Sequence, residues 1–186
     1  MTRSGTNSIS LPHLSMVIGG ARSGKSHLAE QLVTCSGHAR VYIATADALD
    51  DEMRARIAAH RAGRGDGWQT IEAPRDLCAA LAQVPAAASV LVDCATLWLT
   101  NQMLAEADLE AETTALLVAL AASPAPVVVV TNEVGWSIVP ENALARRFRD
   151  AQGRLNQRLA AEAGLVVAMI AGLPLVLKGH LPKVVP

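Results

Sequence analysis

The sequence predicts a three-layer α/β fold in which an open, mostly parallel sheet lies between two layers of helices. Three observations predict it. Hydrophobic residues make up 51% of the 186 positions, yet the chain has only three Trp, one Tyr and one Phe. The core must therefore be built from Val, Leu, Ile and Ala, which is the composition of a parallel sheet buried on both faces. Short apolar runs alternate with longer amphipathic ones, as strands and helices do when they take turns along a chain. The first apolar run ends directly in Gly19-Gly20-Ala21-Arg22-Ser23-Gly24-Lys25-Ser26, a full G-x-x-x-x-G-K-S, which belongs between a strand and a helix.

The elements follow in order. Residues 14–18 (LSMVI) form a buried strand, and residues 26–35 a helix with Leu28, Leu32 and Val33 on its apolar face. A second strand covers 40–45 (RVYIAT), and a charged helix covers 50–62, with Asp50 or Asp51 as its N-cap. Beyond the Gly-rich stretch 63–67 come a short extended segment at 69–72 and a helix over 74–82. Residues 89–93 (SVLVD) are the clearest strand that ends in an acid. A helix over 109–121, a strand over 126–131 (PVVVVT), a long amphipathic helix over 142–162 and a strand over 165–170 complete the pattern. No repeat or linker interrupts it, so residues 14–186 read as a single domain. Residues 1–13 are rich in Ser and Thr without the apolar centre of a signal peptide, and read as a disordered N-terminal extension.

Bulk properties exclude several classes of function. A formal net charge of −1 gives no general attraction to nucleic acid or to an anionic membrane. Cys35, Cys78 and Cys94 are odd in number and form no C-x-x-C pair, which argues against a disulfide framework or a zinc site and for a reducing cytoplasm. The apolar runs are too short to span a bilayer. Any phosphate binding must be local.

Residues 19–26 supply it. Glycines let backbone N–H groups curl around phosphate oxygens with no Cβ in the way. The start of the following helix adds its positive dipole end. Lys25 would reach the β- and γ-phosphates of a nucleoside triphosphate, and the Ser26 hydroxyl would ligate Mg²⁺. Asp93, at the end of an apolar strand, stands where such a fold puts an acid beside the metal, although many strands also end in Asp as a simple cap. In Asp50–Arg61, helical spacing sets Glu52, Arg56 and His60 on one face. Neighbouring cations would lower the imidazole pKa and keep His60 a neutral nucleophile; the same spacing equally describes a solvated, salt-bridged face. Thr131-Asn132-Glu133-Val134-Gly135 closes another strand where open α/β sheets place ligands, and it also reads as a plain turn. Arg146, Arg147, Arg149 and Arg154 could meet phosphates or could simply face water. There is no N-K-x-D to read guanine, and the nominal D-x-x-G at 150–153 lies inside a helical pattern, so a regulatory GTPase is disfavoured.

Together these segments resemble one family, the bifunctional adenosylcobinamide kinase / adenosylcobinamide-phosphate guanylyltransferases of cobalamin biosynthesis. The likeness is carried by GGARSGKS (19–26), YIAT (42–45), DDEMRARIAAHR (50–61), Trp68 and Glu72, VDCATLWLTN (92–101), TNEVGWSIVPENALARRFRDAQGRLNQRLA (131–160) and GLPLVLK (172–178). It implies a RecA-like P-loop NTPase fold, homotrimeric assembly, ATP and GTP as substrates with Mg²⁺, and two reactions. The aminopropanol hydroxyl of adenosylcobinamide is phosphorylated, and GMP then passes from GTP to that phosphate. It implies His60 as the residue that carries GMP, with Lys25 assisting. Ala44, Thr45, Ala46, Arg61, Glu72 and Asp93 join residues 19–26 in nucleotide binding, and Ser26 and Asp93 hold the metal. Ser137 departs from the family, which has glycine there, and this puts the local loop geometry in question. A P-loop kinase without guanylyl transfer and a nucleotide-binding regulatory module are the competing readings.

Overall fold

The computed structural model describes residues 8–47 and 64–183. The charged helix expected over 50–62, with His60 and Arg61, lies outside the described residues, as do residues 1–7. Seven strands form one sheet: β1 (Leu14–Gly19), β2 (Ala39–Ala44), β3 (Trp68–Glu72), β4 (Ala88–Asp93), β5 (Val127–Asn132), β6 (Leu165–Ile170) and β7 (Leu173–Lys178). Their order is β3-β2-β4-β5-β1-β6-β7. Every pairing is parallel except that of β6 with β7. The described helices are α1 (Lys25–Cys35), α2 (Leu77–Ala82), α3 (Ala95–Leu104), α4 (Leu109–Ala122) and α5 (Ala143–Glu162).

Side-chain alternation along the strands divides the core into two layers. Val17, Tyr42, Leu91, Val128, Val130 and Val167 face one way and pack with Leu28, Ala29, Leu32 and Val33 of α1. Met16, Val41, Ile43, Val90, Val92, Val127 and Val129 face the other way and pack with Leu81, Trp98, Leu116, Leu120, Leu155 and Leu159 of α2–α5. The fold is thus the expected three-layer, RecA-like P-loop NTPase architecture, with aliphatic residues filling both layers. Because β1, β2, β4 and β5 are parallel, all of them end at the same edge of the sheet, and that edge carries the glycine-rich loop.

Two described elements were not expected from the sequence. Helix α3 starts immediately after β4, capped by Cys94 Sγ rather than by a hydroxyl or carboxylate. It buries Thr96, Trp98, Leu99, Gln102 and Met103, so it lacks the one-sided pattern that marks a surface helix. Strand β7 is exposed along its whole length and contains Pro174, features tolerated only at a sheet edge. It returns against β6 through Ala171 (φ 52°) and Gly172 (φ 80°), the two positive φ values of a tight hairpin turn. Residues 8–13 correct the expectation of a disordered extension over 1–13. Ile9 N donates to Cys35 O at 2.9 Å, and Ile9 and Leu11 pack against the α1-side core. Two apolar residues among serines suffice to dock that short stretch.

Candidate active site

The phosphate loop is shaped by backbone. Gly24 is the N-cap of α1 at φ 92° and gives it no side-chain cap. The first-turn N–H groups are therefore left to an anion. Arg22 also has positive φ, 56°, so the loop curls its N–H groups inward. A Cβ on Gly19 would stand 2.5 Å from Ser23 Oγ and 2.7 Å from Met169 O, whereas one on Gly20 would meet nothing within 4 Å. The first glycine is needed for close packing and the second faces open space. Ser23 O accepts from Gly172 N at 3.2 Å, so the β6–β7 turn braces the loop from behind. Lys25 Nζ donates to Gly20 O at 2.9 Å, folding the ammonium group over the cradle. Ser23 Oγ is buried with no hydrogen-bond partner.

Beside the loop stands a rim built of side chains on β2 and β4. Ala44 pairs with Asp93 on one side and with Glu72 on the other. The Tyr42 hydroxyl lies beside the Asp93 carboxylate, and Tyr42 is pushed well above the ordinary tyrosine value, first by burial and then by the charge of that carboxylate. This contact puts the Asp93 side chain on the α1 face, the face on which the glycine loop lies. The Tyr42 ring is covered by the Arg64 guanidinium at 3.4 Å from its centroid and meets Trp68 edge-on. Thr45 is fully buried. Its hydroxyl donates to Cys94 O and accepts from Cys94 N, both at 2.7 Å. Its single proton is committed, so Thr45 clasps the chain behind Asp93. The Cys94 thiol is pushed up to about 11, by burial first and by Asp93 second.

The end of β5 lies between these two parts. Asn132 is in register with Gly19, and Glu133 N donates to Gly19 O at 3.1 Å. A buried polar cluster on the opposite face fixes this point. Thr131 Oγ1 donates to Asn156 Oδ1 at 2.7 Å, Gln152 Nε2 donates to Thr131 Oγ1 at 2.9 Å, and Asn156 Nδ2 donates to Asn132 O at 3.1 Å. Thr96 Oγ1 accepts from Asn132 N at 2.8 Å. These bonds tie the end of β5 to α3 and α5, while Asn132 Oδ1 and Gln152 Oε1 stay buried without a hydrogen-bond partner.

Residues 15–177 match the family described as cobinamide kinase / cobinamide phosphate guanyltransferase. The chain belongs to that family. It is 47% identical over 168 residues to the bifunctional adenosylcobalamin biosynthesis protein CobP of Pseudomonas aeruginosa, covering 89% of this chain and 97% of that protein. It is 42% identical over 179 residues to the bifunctional adenosylcobalamin biosynthesis protein CobU of Escherichia coli, covering 88% and 98% respectively. The flagellar accessory protein FlaH of Methanocaldococcus jannaschii shares the fold at TM-score 0.51 and 13% identity, covering 92% of this chain and 81% of that one. The family description names both reactions expected from the sequence, so this family member is a kinase and a guanylyltransferase.

Within this cobinamide kinase / guanyltransferase chain, Gly19–Ser26, Ala44, Thr45, Ala46, Glu72 and Asp93 come from the ends of β1, β2, β3 and β4 and gather at one edge of the sheet. His60 and Arg61 lie outside the described residues. Two of the α5 arginines raised as phosphate candidates have local partners: Arg146 donates to Pro140 O and Glu141 O, and Arg149 pairs with Asp150 at 2.9 Å. Ser137 is exposed and is not among the described residues with positive φ, so serine suits the position as well as glycine does. Sequence reasoning missed Tyr42 as the partner of Asp93 and the Thr96–Gln152–Asn156 cluster. The polar residues Gln152 and Asn156, four apart on an otherwise apolar stripe, were the available signal.

Proposed function

We propose that this chain phosphorylates the aminopropanol hydroxyl of adenosylcobinamide with ATP or GTP, then guanylylates the product through His60. In the second reaction an imidazole nitrogen attacks the α-phosphorus of GTP and pyrophosphate leaves. The phosphoramidate then transfers GMP to adenosylcobinamide phosphate, which gives adenosyl-GDP-cobinamide and restores the histidine. The observation that carries the reading is the uncapped start of α1 behind the Gly19–Ser26 loop, on the same face as Asp93, in a chain of this family.

Lys25 and the loop N–H groups would hold the triphosphate and stabilise charge on the departing phosphates. Ser26 and Asp93 offer hard oxygen donors that suit Mg²⁺, an ion held by few protein ligands beside phosphate oxygens. Bound there, the ion would neutralise charge on the transferring group. Thr45 acts by holding the Asp93–Cys94 link, while Ala44, Ala46, Arg61 and Glu72 contribute the nucleotide-facing rim. The segment that holds His60 is bracketed by Thr45 and Arg64, which touch Cys94 and Tyr42 beside Asp93. Residence in the cytoplasm fits described helices none of which is long and apolar enough to cross a membrane. Homotrimer formation fits the exposed apolar side chains of Leu173, Leu175 and Leu177 on β7.

The test is covalent labelling. The chain incubated with GTP labelled at the α-phosphorus should acquire acid-labile, base-stable label, and His60→Ala should abolish it while retaining kinase activity. An unlabelled wild-type protein would leave a kinase without guanylyl transfer.

A further inference from the structure

Three side chains of helix α3 that the proposed reactions leave unused donate to backbone carbonyls outside the helix. Asn101 Nδ2 donates to Thr45 O at 3.0 Å and to Pro74 O at 2.8 Å. Trp98 Nε1 and Gln102 Nε2 donate to Arg75 O at 2.8 and 2.9 Å. Thr45 directly follows β2, and Pro74 and Arg75 lie just beyond β3. The parallel ladder between these strands ends with Ala73 N donating to Ala44 O at 2.8 Å. Beyond that bond, Asn101 bridges the two departing chains.

The residue type suits the task. A carboxamide presents two N–H bonds in one plane at a fixed angle, so it can bridge two carbonyls. A hydroxyl has one proton, and a carboxylate would repel both oxygens. The chains joined in this way carry Ala44–Ala46 and Glu72, and the first leads through Asp47 to the segment that holds His60. The glycine loop is anchored elsewhere, to Gly172 and Glu133.

We propose that Asn101 is a positioning residue for guanylyl transfer. By tying Thr45 to Pro74 it fixes the spacing of the β2 and β3 rim that receives GTP, and it sets the point from which the chain departs toward His60. Asn101 contacts neither the glycine loop nor the reacting phosphorus. This inference rests on the guanylyl-transfer reading given above.

The experiment compares Asn101→Leu with the wild type in two assays on the full chain: His60 labelling from GTP and cobinamide phosphorylation from ATP. The expected result is a fall of about tenfold or more in kcat/KM for labelling, with KM for ATP in the kinase assay within about twofold. Trp98→Phe removes one donor of the same helix without touching Thr45. It should lower the melting temperature and leave labelling unchanged. If Asn101→Leu shows no cooperative melting, Asn101→Ser, which keeps one donor, is read the same way. Equal losses in both assays, wild-type labelling by the variant, or an equal effect of Trp98→Phe would each overturn the inference while the guanylyl-transfer reading stands. A wild-type chain that takes no label overturns both.

Discussion

The two parts of the site are made of different material. Around β1 the cradle is backbone: Gly19, Gly20 and Gly24, the uncapped start of α1, and the β6–β7 turn that bonds Ser23 O. Around β2, β3 and β4 the rim is side chain: Tyr42 on Asp93, Thr45 on Cys94, and Asn101 across the two strand ends. A backbone cradle fits any triphosphate, because every nucleotide offers the same phosphate oxygens. A side-chain rim can distinguish one partner from another, since hydrogen-bond donors and acceptors placed by several elements match only one arrangement. Under the proposed function, the first part would hold phosphate and the second would select.

The largest expected effect breaks or sharpens this division directly. Lys25→Ala should reduce both reactions by roughly a hundredfold or more, as read from initial rates of phosphorylation and of labelling. A loss confined to phosphorylation would show that guanylyl transfer uses another cradle.

The rim should show a pH signature in the metal-free protein. Cys94 is raised from 9.0 to about 11 in the fold, so between these values the folded state keeps a proton that the unfolded chain has released. Stability from this group is complete below pH 9 and is lost as pH rises toward 11, by about 3 kcal/mol. Denaturant unfolding of wild type and Cys94→Ala across that window should show the wild type falling more steeply.

On the cradle side, Gly19→Ala should lose about 1–3 kcal/mol by overpacking, because its Cβ meets Ser23 Oγ at 2.5 Å and the Met169 carbonyl at 2.7 Å. Gly20→Ala should be nearly neutral in the same melts. Equal losses would mean that conformation, not space, sets the need for glycine. The smallest effect is expected for Tyr42→Phe, which keeps the ring under Arg64 but removes the hydroxyl beside Asp93. It should cost about 1 kcal/mol and raise the Mg²⁺ concentration needed for half-maximal kinase rate, with little change at saturating Mg²⁺.

How much was legible follows the same division. Strand identities were readable because each apolar run is buried on both faces, and the longest, PVVVVT, became the central β5. Helix α3 escaped because it is apolar on nearly every side and begins on a cysteine. Strand β7 escaped because Pro174 and full exposure deny it both strand signals. Residues 8–13 were read as disordered because their serines outweigh Ile9 and Leu11, which nevertheless dock. Ser137 raised a question about loop geometry that its ordinary φ answers.

By itself the sequence determined the three-layer parallel fold, the phosphate cradle and the family, since each rests on contiguous residues or on a period along the chain. The tertiary structure alone decided that Tyr42 stands beside Asp93, that Thr45 spends its hydroxyl on Cys94, and that Asn101 joins the ends of β2 and β3. The partners in these contacts are separated by 27 to 56 residues where hydrogen bonds join them to Asn101. No local period encodes such a meeting. It arises when hydrophobic burial stacks the strands in the order β3-β2-β4 and brings their ends together at one edge.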